Sequence, residues 1–286
     1  MYQRVLFIGS KRSGLNALTK MTKLRRKAII GCITIDDRSD SRSVFPEILK
    51  FCEQEKISIE VLAGSCDITN CIHKYKPDIC FVIGWYYLIS IEIIKLVKGG
   101  FIGIHNSLLP SYRGFAPVVW AMINGEKDTG FSVFSFDEGM DTGDIWFQKA
   151  ISIGENDYIE DILSKIDKGI EGFFDEKYEM ILDGLCDVYA QKSANISYGA
   201  KRVPEDGKIN WGESAAVVYN FIRAQSRPYA GTFSYYNGKK ITIWKAKKFQ
   251  YSIYGKPGQI GIIDKKNECI IVVCGYNTGI LLEEIE

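Results

Sequence analysis

The sequence predicts a doubly wound, Rossmann-like α/β fold with a mostly parallel sheet, followed by a smaller antiparallel β-barrel of OB-like type. Three observations carry that expectation. In the first half, apolar runs of four to seven residues alternate with amphipathic stretches, the pattern of parallel strands joined by covering helices. The polar segment Gln191–Gly207, with Pro204 and the turn Glu205-Asp206-Gly207, then breaks the pattern. Beyond it come short β-like runs separated by turn signals, including the hairpin dipeptide Asn237-Gly238. The expected division is an α/β domain at 1–190, a linker and helix at 191–227, and a barrel at 228–286.

The elements follow in order. Arg4–Ile8 is an unbroken apolar run, as expected of a strand buried on both faces. Gly9-Ser-Lys-Arg-Ser-Gly14 follows as a loop. It lacks the central glycine that lets a GxGxxG backbone approach a pyrophosphate, which argues against NAD. Lys11 and Arg12 in this loop read either as phosphate contacts or as solvated residues. Strands are then expected at Ala28–Ile35, Ser58–Leu62, Ile79–Val82, Phe101–His105, Phe131–Phe136 and Ile145–Ala150. Helical spacing occurs at Leu15–Leu24, Pro46–Glu55, Ile68–Tyr75, Ser90–Val97, Ala116–Asn124 and Tyr158–Asp183. After the linker, a helix at Ser214–Gln225 precedes β-like runs at Gly231–Tyr236, Lys240–Ala246, Gly258–Ile263, Glu268–Cys274 and Ile280–Ile285. No internal repeat or low-complexity tract is present.

Composition narrows the function. At 46% hydrophobic and 25% charged, the chain is globular, which excludes disorder, collagen and coiled coil. Thirty-six basic against 35 acidic residues leave a charge of +1, so no global field attracts nucleic acid or an anionic membrane. Met1-Tyr2-Gln3-Arg4 runs into only the brief apolar stretch Val5–Ile8, and no apolar run approaches the ~18 residues of a membrane span, so a cytoplasmic protein is expected. Of eight cysteines, the closest pairs, Cys66/Cys71 and Cys269/Cys274, are not CxxC. With only two histidines, a structural zinc site is not expected, and the cysteines read as small buried apolar residues.

In an open α/β sheet, ligands bind beyond the carboxyl ends of strands. Two such segments stand out: Phe101-Ile-Gly-Ile-His105-Asn-Ser-Leu-Leu-Pro110-Ser-Tyr-Arg-Gly114 and Phe136-Asp-Glu-Gly-Met-Asp141-Thr-Gly-Asp144. A lone histidine at a strand end often serves only to satisfy a backbone carbonyl. An aspartate from a neighbouring strand end would instead fix the His105 ring and support proton transfer or oxyanion stabilisation. His73, on a helix, reads as a surface residue. The acidic loop fails the spacing of a calcium loop, so no metal is expected there, and Asp144 reads as a cap before the next strand.

These residues resemble the N10-formyltetrahydrofolate-dependent formyltransferases. His105, Ser107-Leu108-Leu109-Pro110, Arg113-Gly114 and Asp137-x-Gly139-x-Asp141-Thr142-Gly143 match that family's signature in order. Gly84-Trp85-Tyr86 resembles its folate-pocket loop. Arg202–Trp211, Ile222-Arg-Ala224 and Lys256-Pro-Gly258 resemble the linker and barrel of members acting on methionyl-tRNA or nucleotide-linked amino sugars. The resemblance implies formyl transfer from N10-formyltetrahydrofolate to a primary amine through a tetrahedral intermediate, with His105 and Asp141 catalytic. It places the pterin between the loops Ile83–Leu88 and Asp137–Asp141, making Ile83, Gly84, Trp85, Tyr86, Leu88, Asp137, Gly139 and Met140 its candidate contacts. Trp85 either stacks there or packs.

Candidate acceptor contacts are Lys11, Arg12, Ser107, Arg113, Arg223 and Tyr229, the last two near the junction with the barrel. One departure concerns the triad of asparagine, histidine and aspartate, because the asparagine position is Gly103. A backbone N–H, a water or another side chain is expected to fill the space there. The tRNA-acting members carry a basic, glycine-rich insertion after the second strand. Here that stretch is Asp36-Asp-Arg-Ser-Asp40-Ser-Arg-Ser, three acids against two arginines. A nucleotide-linked amino sugar is therefore the expected acceptor, in surface-glycan biosynthesis, with no nucleic-acid or membrane partner. The alternatives are a methionyl-tRNA formyltransferase and a folate-binding pseudoenzyme. Apolar barrel strands such as Ile270–Val273 are candidates for a homodimer contact.

Overall fold

A computed structural model gives the architecture of residues 1–63, 68–264 and 269–286; Cys66 and Glu268 lie outside the described residues. In chain order the elements are β1 (Val5–Gly9), α1 (Lys11–Arg25), β2 (Ile29–Ile35), α2 (Phe45–Gln54), β3 (Ile59–Leu62), α3 (Ile68–Tyr75), β4 (Ile79–Ile83) and α4 (Ile91–Ile94). There follow β5 (Phe101–His105), β6 (Arg113–Gly114), α5 (Pro117–Ile123), β7 (Asp128–Ser135), β8 (Ile145–Ser152), α6 (Ile159–Asp183), β9 (Tyr198–Gly199) and α7 (Ala215–Gln225). The last five strands are β10 (Thr232–Tyr236), β11 (Lys239–Lys248), β12 (Ile260–Asp264), β13 (Cys269–Val273) and β14 (Gly279–Ile285). Two compact units result. Met1–Arg113, Gly130–Ala150 and Lys165–Ser197 form the first; Gly114–Thr129, Ile151–Ser164 and Tyr198–Glu286 form the second.

The first unit is built on a sheet ordered β3-β2-β1-β4-β5-β7-β8. β1 pairs in parallel with both β2 and β4, so the chain reverses its direction of growth across the sheet between β1 and β4. Both strands are buried at every position, which explains their unbroken apolar sequences. Close approach at this switch point needs glycine: a Cβ on Gly9 or Gly14 would lie 2.2 or 2.8 Å from the Ile83 carbonyl oxygen. The expected loop Gly9–Gly14 is thus a correction. The helix begins at Lys11, and these glycines serve strand and helix packing rather than a phosphate loop.

A second difference is the direction of β7, which is antiparallel to β5 with Ser135 opposite Ile102 and Ser132 opposite His105. The end of β7 therefore lies beside the beginning of β5. Helix α4 is also shorter than its sequence suggests, because after Lys95 the backbone bonds pass to residues three back, Leu96 to Ile93 and Val97 to Ile94.

In the second unit an antiparallel sheet ordered β10-β11-β14-β13-β12 packs against α7. Val218, Tyr219 and Ile222 of the helix are buried with Ile243, Ala246, Cys274 and Ile280. The fold is a Rossmann-like sheet plus an OB-like half-barrel. Among the described residues no helix is long and apolar enough to cross a membrane.

Candidate active site

His105 ends β5 and is 8% exposed. Its Nε2 lies 2.7 Å from the Tyr112 carbonyl oxygen, which can only accept, so Nε2 carries a proton and donates it. The other ring nitrogen, Nδ1, faces the Asp141 carboxylate at 3.5 Å. The loop supplying the carbonyl is pinned from within. Ser107 Oγ donates to the Ser111 carbonyl, and the Ser132 hydroxyl donates to the Ser107 carbonyl while accepting from Leu109 N–H. Ser107, a candidate acceptor contact, is 2% exposed and spends its hydroxyl on this turn.

Asp141 reaches His105 by an indirect route. Because β7 is antiparallel, its last residue is three positions from His105 along β5, or ~10 Å at strand rise. The loop must double back over the sheet, and the bare surface of Gly103 lets it pass. A Cβ there would stand 2.2 Å from the Phe136 ring, which stacks on Phe134 at 5.3 Å. Residues 103 and 105 face the same side of the strand. A side chain does occupy the space beside Gly103, but it is an apolar ring with no hydrogen bond to donate. Asp137 Oδ1 then accepts from Gly139 N–H and Thr142 Oγ1, closing the turn from its own side chain, and Asp141 adopts a left-handed φ of 55°.

Gln191, which sequence reading assigned to a polar linker, reaches into this site. Its Oε1 accepts from Arg113 Nε at 3.2 Å and Nη2 at 2.7 Å. Its Nε2 donates to the carbonyls of Asp141 and Gly143 at 2.7 and 2.8 Å. Arg113 itself is 6% exposed. The one signal in the sequence that could have pointed to Gln191 is the need of a buried guanidinium for acceptors; an isolated glutamine in an irregular stretch gives none.

The loop after β4 begins where Ser10 N–H and Oγ bond to the carbonyls of Ile83 and Gly84 at 3.3 and 2.7 Å. Ile83 is buried, whereas Tyr86, Leu88 and Met140 are 45%, 81% and 40% exposed. Trp85 packs edge-on against Tyr87, and its indole Nε1 is buried with no acceptor among the described residues.

Lys11 Nζ sits 3.0 Å from Asp37 and 2.8 Å from Asp40, with the Tyr86 hydroxyl donating to Asp37 at 3.0 Å. Burial alone would lower the Lys11 pKa, but its bonds to Asp40, Tyr86 and Asp37 outweigh that and raise it. The bond from Arg42 holds the Asp40 carboxyl far below the usual carboxylate range, with Lys11 assisting against desolvation. Arg38 pairs likewise with Asp36, and Arg12 with Glu47 at the surface. Lys11 and Arg12 are thus both partnered by carboxylates of this chain.

In the second unit, Arg223 is 5% exposed and donates to Asn220 and to the carbonyls of Gly154 and Asp157. Tyr229 is half-buried in the turn where its N–H bonds to Ser226. Among the described residues no cluster of His, Cys, Asp and Glu is arranged to hold a metal ion.

Comparison with known proteins adds two family matches: "Formyl transferase" over residues 4–172 and "Formyl transferase, C-terminal domain" over residues 201–286. The chain is 31% identical over 295 residues to the methionyl-tRNA formyltransferase of Thermodesulfovibrio yellowstonii, covering 98% of this chain and 90% of that one. It is 33% identical over 259 residues to the bifunctional polymyxin resistance protein ArnA of Wigglesworthia glossinidia brevipalpis, covering 90% of this chain but only 39% of that protein. Among solved structures, an N-formyltransferase from Helicobacter canadensis, in complex with folinic acid and dTDP-3-aminofucose, aligns with TM-score 0.74 at 19% identity over 99% of both chains. HypX from Aquifex aeolicus aligns with TM-score 0.67 at 18% identity, over 100% of this chain and 44% of HypX.

Proposed function

This chain belongs to the formyl transferase family and is a formyltransferase, and we propose that it moves the formyl group of N10-formyltetrahydrofolate to the amine of a nucleotide-linked amino sugar. The observation that carries the choice of acceptor is the loop between β2 and α2. Its arginines are spent on Asp36 and Asp40, and Lys11 on Asp37 and Asp40. An acceptor stem is gripped by cations that displace its counterions, and this loop offers it carboxylates already matched to their own partners. The Helicobacter canadensis protein, of the same fold, was solved with dTDP-3-aminofucose, so this scaffold is compatible with such an acceptor.

N10-formyltetrahydrofolate supplies the formyl group. By resemblance the pterin lies between the loops that carry Tyr86, Leu88 and Met140, whose exposed side chains are available to a flat heteroaromatic ring. His105 does the proton work. With Nε2–H committed to Tyr112, its basic nitrogen is Nδ1, which takes the proton of the attacking amine. Asp141 stabilises the imidazolium so formed and keeps the proton available for the departing nitrogen. Arg113 acts through Gln191, and Arg223 braces its own unit.

The sequence likeness to methionyl-tRNA formyltransferases gives a second reading, in which the acceptor is the amine of methionyl-tRNA. Incubation with N10-formyltetrahydrofolate and a panel of UDP- and dTDP-linked amino sugars, with methionyl-tRNA in parallel, distinguishes them by product mass. A formylated amino-sugar nucleotide is expected. Formylation of methionyl-tRNA alone would establish the second reading, and no product with any amine would mean a folate-binding pseudoenzyme.

A further inference from the structure

Two polar groups meet the His105 ring from segments far apart in sequence, and both come from residues with left-handed backbone. Tyr112, whose carbonyl takes Nε2–H, has φ 56°, and Asp141, whose carboxylate faces Nδ1, has φ 55°. Neither is a glycine; an aspartate enters this region readily enough, but at a tyrosine such backbone is uncommon and is held by its surroundings. The Gln191 side chain bridges the two segments. Gln191 accepts from Arg113, the residue after Tyr112, and donates to the carbonyl of Asp141 itself and to that of Gly143.

The contacts form a closed ring: from His105 to Tyr112, through the peptide to Arg113, to Gln191, to Asp141 and back to His105. The orientation of the amide within it is chemically fixed. A guanidinium only donates and a carbonyl only accepts, so Oε1 must face Arg113 and Nε2 the acidic loop. All of the amide's principal capacity is used. A glutamate here would set an oxygen against two carbonyl oxygens, and a methionine would remove the hydrogen bonds that the amide makes to both segments.

We propose that Gln191 is a positioning residue for formyl transfer: it fixes the spacing of the Tyr112 and Asp141 segments, and so sets the orientation of the His105 ring and the gap between Nδ1 and the carboxylate. The proposal rests on His105 and Asp141 being the pair that handles the proton. Turnover of the His105→Asn and Asp141→Asn single variants, which should fall by ~10²–10⁴, tests that premise separately.

The experiment compares Gln191→Met and Gln191→Glu with wild type, each also in an Asp141→Asn background. Misplacing a reacting group by a fraction of an ångström to one ångström costs on the order of 10- to 100-fold in rate. A fall in kcat of that order is expected for both variants, with KM for folate and acceptor within about two-fold. In the Asp141→Asn background, Gln191→Met should cost clearly less than it does in wild type, because one of the two groups it positions is already gone. The ¹⁵N resonances of the His105 ring, read without substrate, should show Nε2 losing its fixed proton in either variant. Folded variants with kcat near wild type would overturn the proposal, as would a full multiplicative loss beside Asp141→Asn. Loss of the fold in both variants would make Gln191 a brace for the domain and overturn it equally.

Discussion

A histidine that gives one N–H to a backbone carbonyl has a single nitrogen left to exchange protons, and at His105 that nitrogen faces a carboxylate. His105→Asn should therefore reduce turnover by ~10²–10⁴ while leaving folate affinity, measured by equilibrium binding, near wild type. Asp141→Asn should do similar damage, because the imidazolium loses its counter-charge. Turnover within a few-fold of wild type for either variant would remove that residue from the mechanism. Two residues away, Gly103 meets the Phe136 ring. Gly103→Asn overpacks this contact, a change that costs ~1–3 kcal/mol in a filled interior, and should lower both the urea midpoint and the rate. Gly103→Asn with Phe136→Ala should recover stability relative to Gly103→Asn alone. A Gly103→Asn enzyme faster than wild type and equally stable would mean that the ring yields.

At the scale of elements, the strands were legible because burial on both faces forces continuous apolar runs, as in β1 and β4. The start of α1 was not, because Gly9 and Gly14 look like loop residues until the Ile83 carbonyl is seen against them. The proximity of His105 to Asp141 was also readable, from two motifs. Its geometry was not: the reversal of β7, the path of Phe136 over Gly103 and the Tyr112 carbonyl depend on chain direction and backbone, which no side-chain pattern records. Gln191 was hidden for a related reason, since its partners are one guanidinium and two carbonyls from distant segments. The loop between β2 and α2 makes its own prediction. A carboxyl whose folded pKa is depressed stabilises the fold above its unfolded value of ~3.9, and that contribution fades as pH falls below it. Asp40→Asn should cost ~0.2–1 kcal/mol at pH 7, as expected of a partly exposed ion pair with Lys11 and Arg42. Urea unfolding at neutral pH and again below ~3.9 should show that difference shrinking; an equal difference at both would mean that Asp40 acts by packing rather than charge.

For the whole molecule, the net charge of +1 and the self-paired loop after β2 point the same way. Polyanions should bind weakly and lose what affinity they have as salt rises. The chain covers nearly all of a methionyl-tRNA formyltransferase and shares its fold with an N-formyltransferase solved in complex with dTDP-3-aminofucose, so the scaffold by itself does not choose the acceptor. The most direct measurement is a competition. Enzyme and N10-formyltetrahydrofolate carrying an isotopic label in the formyl carbon are given methionyl-tRNA and a mixture of UDP- and dTDP-linked amino sugars in one reaction at physiological salt. The label should appear on an amino-sugar nucleotide and leave the tRNA unmarked. Label on methionyl-tRNA, with every sugar nucleotide unmodified, would contradict the proposed acceptor.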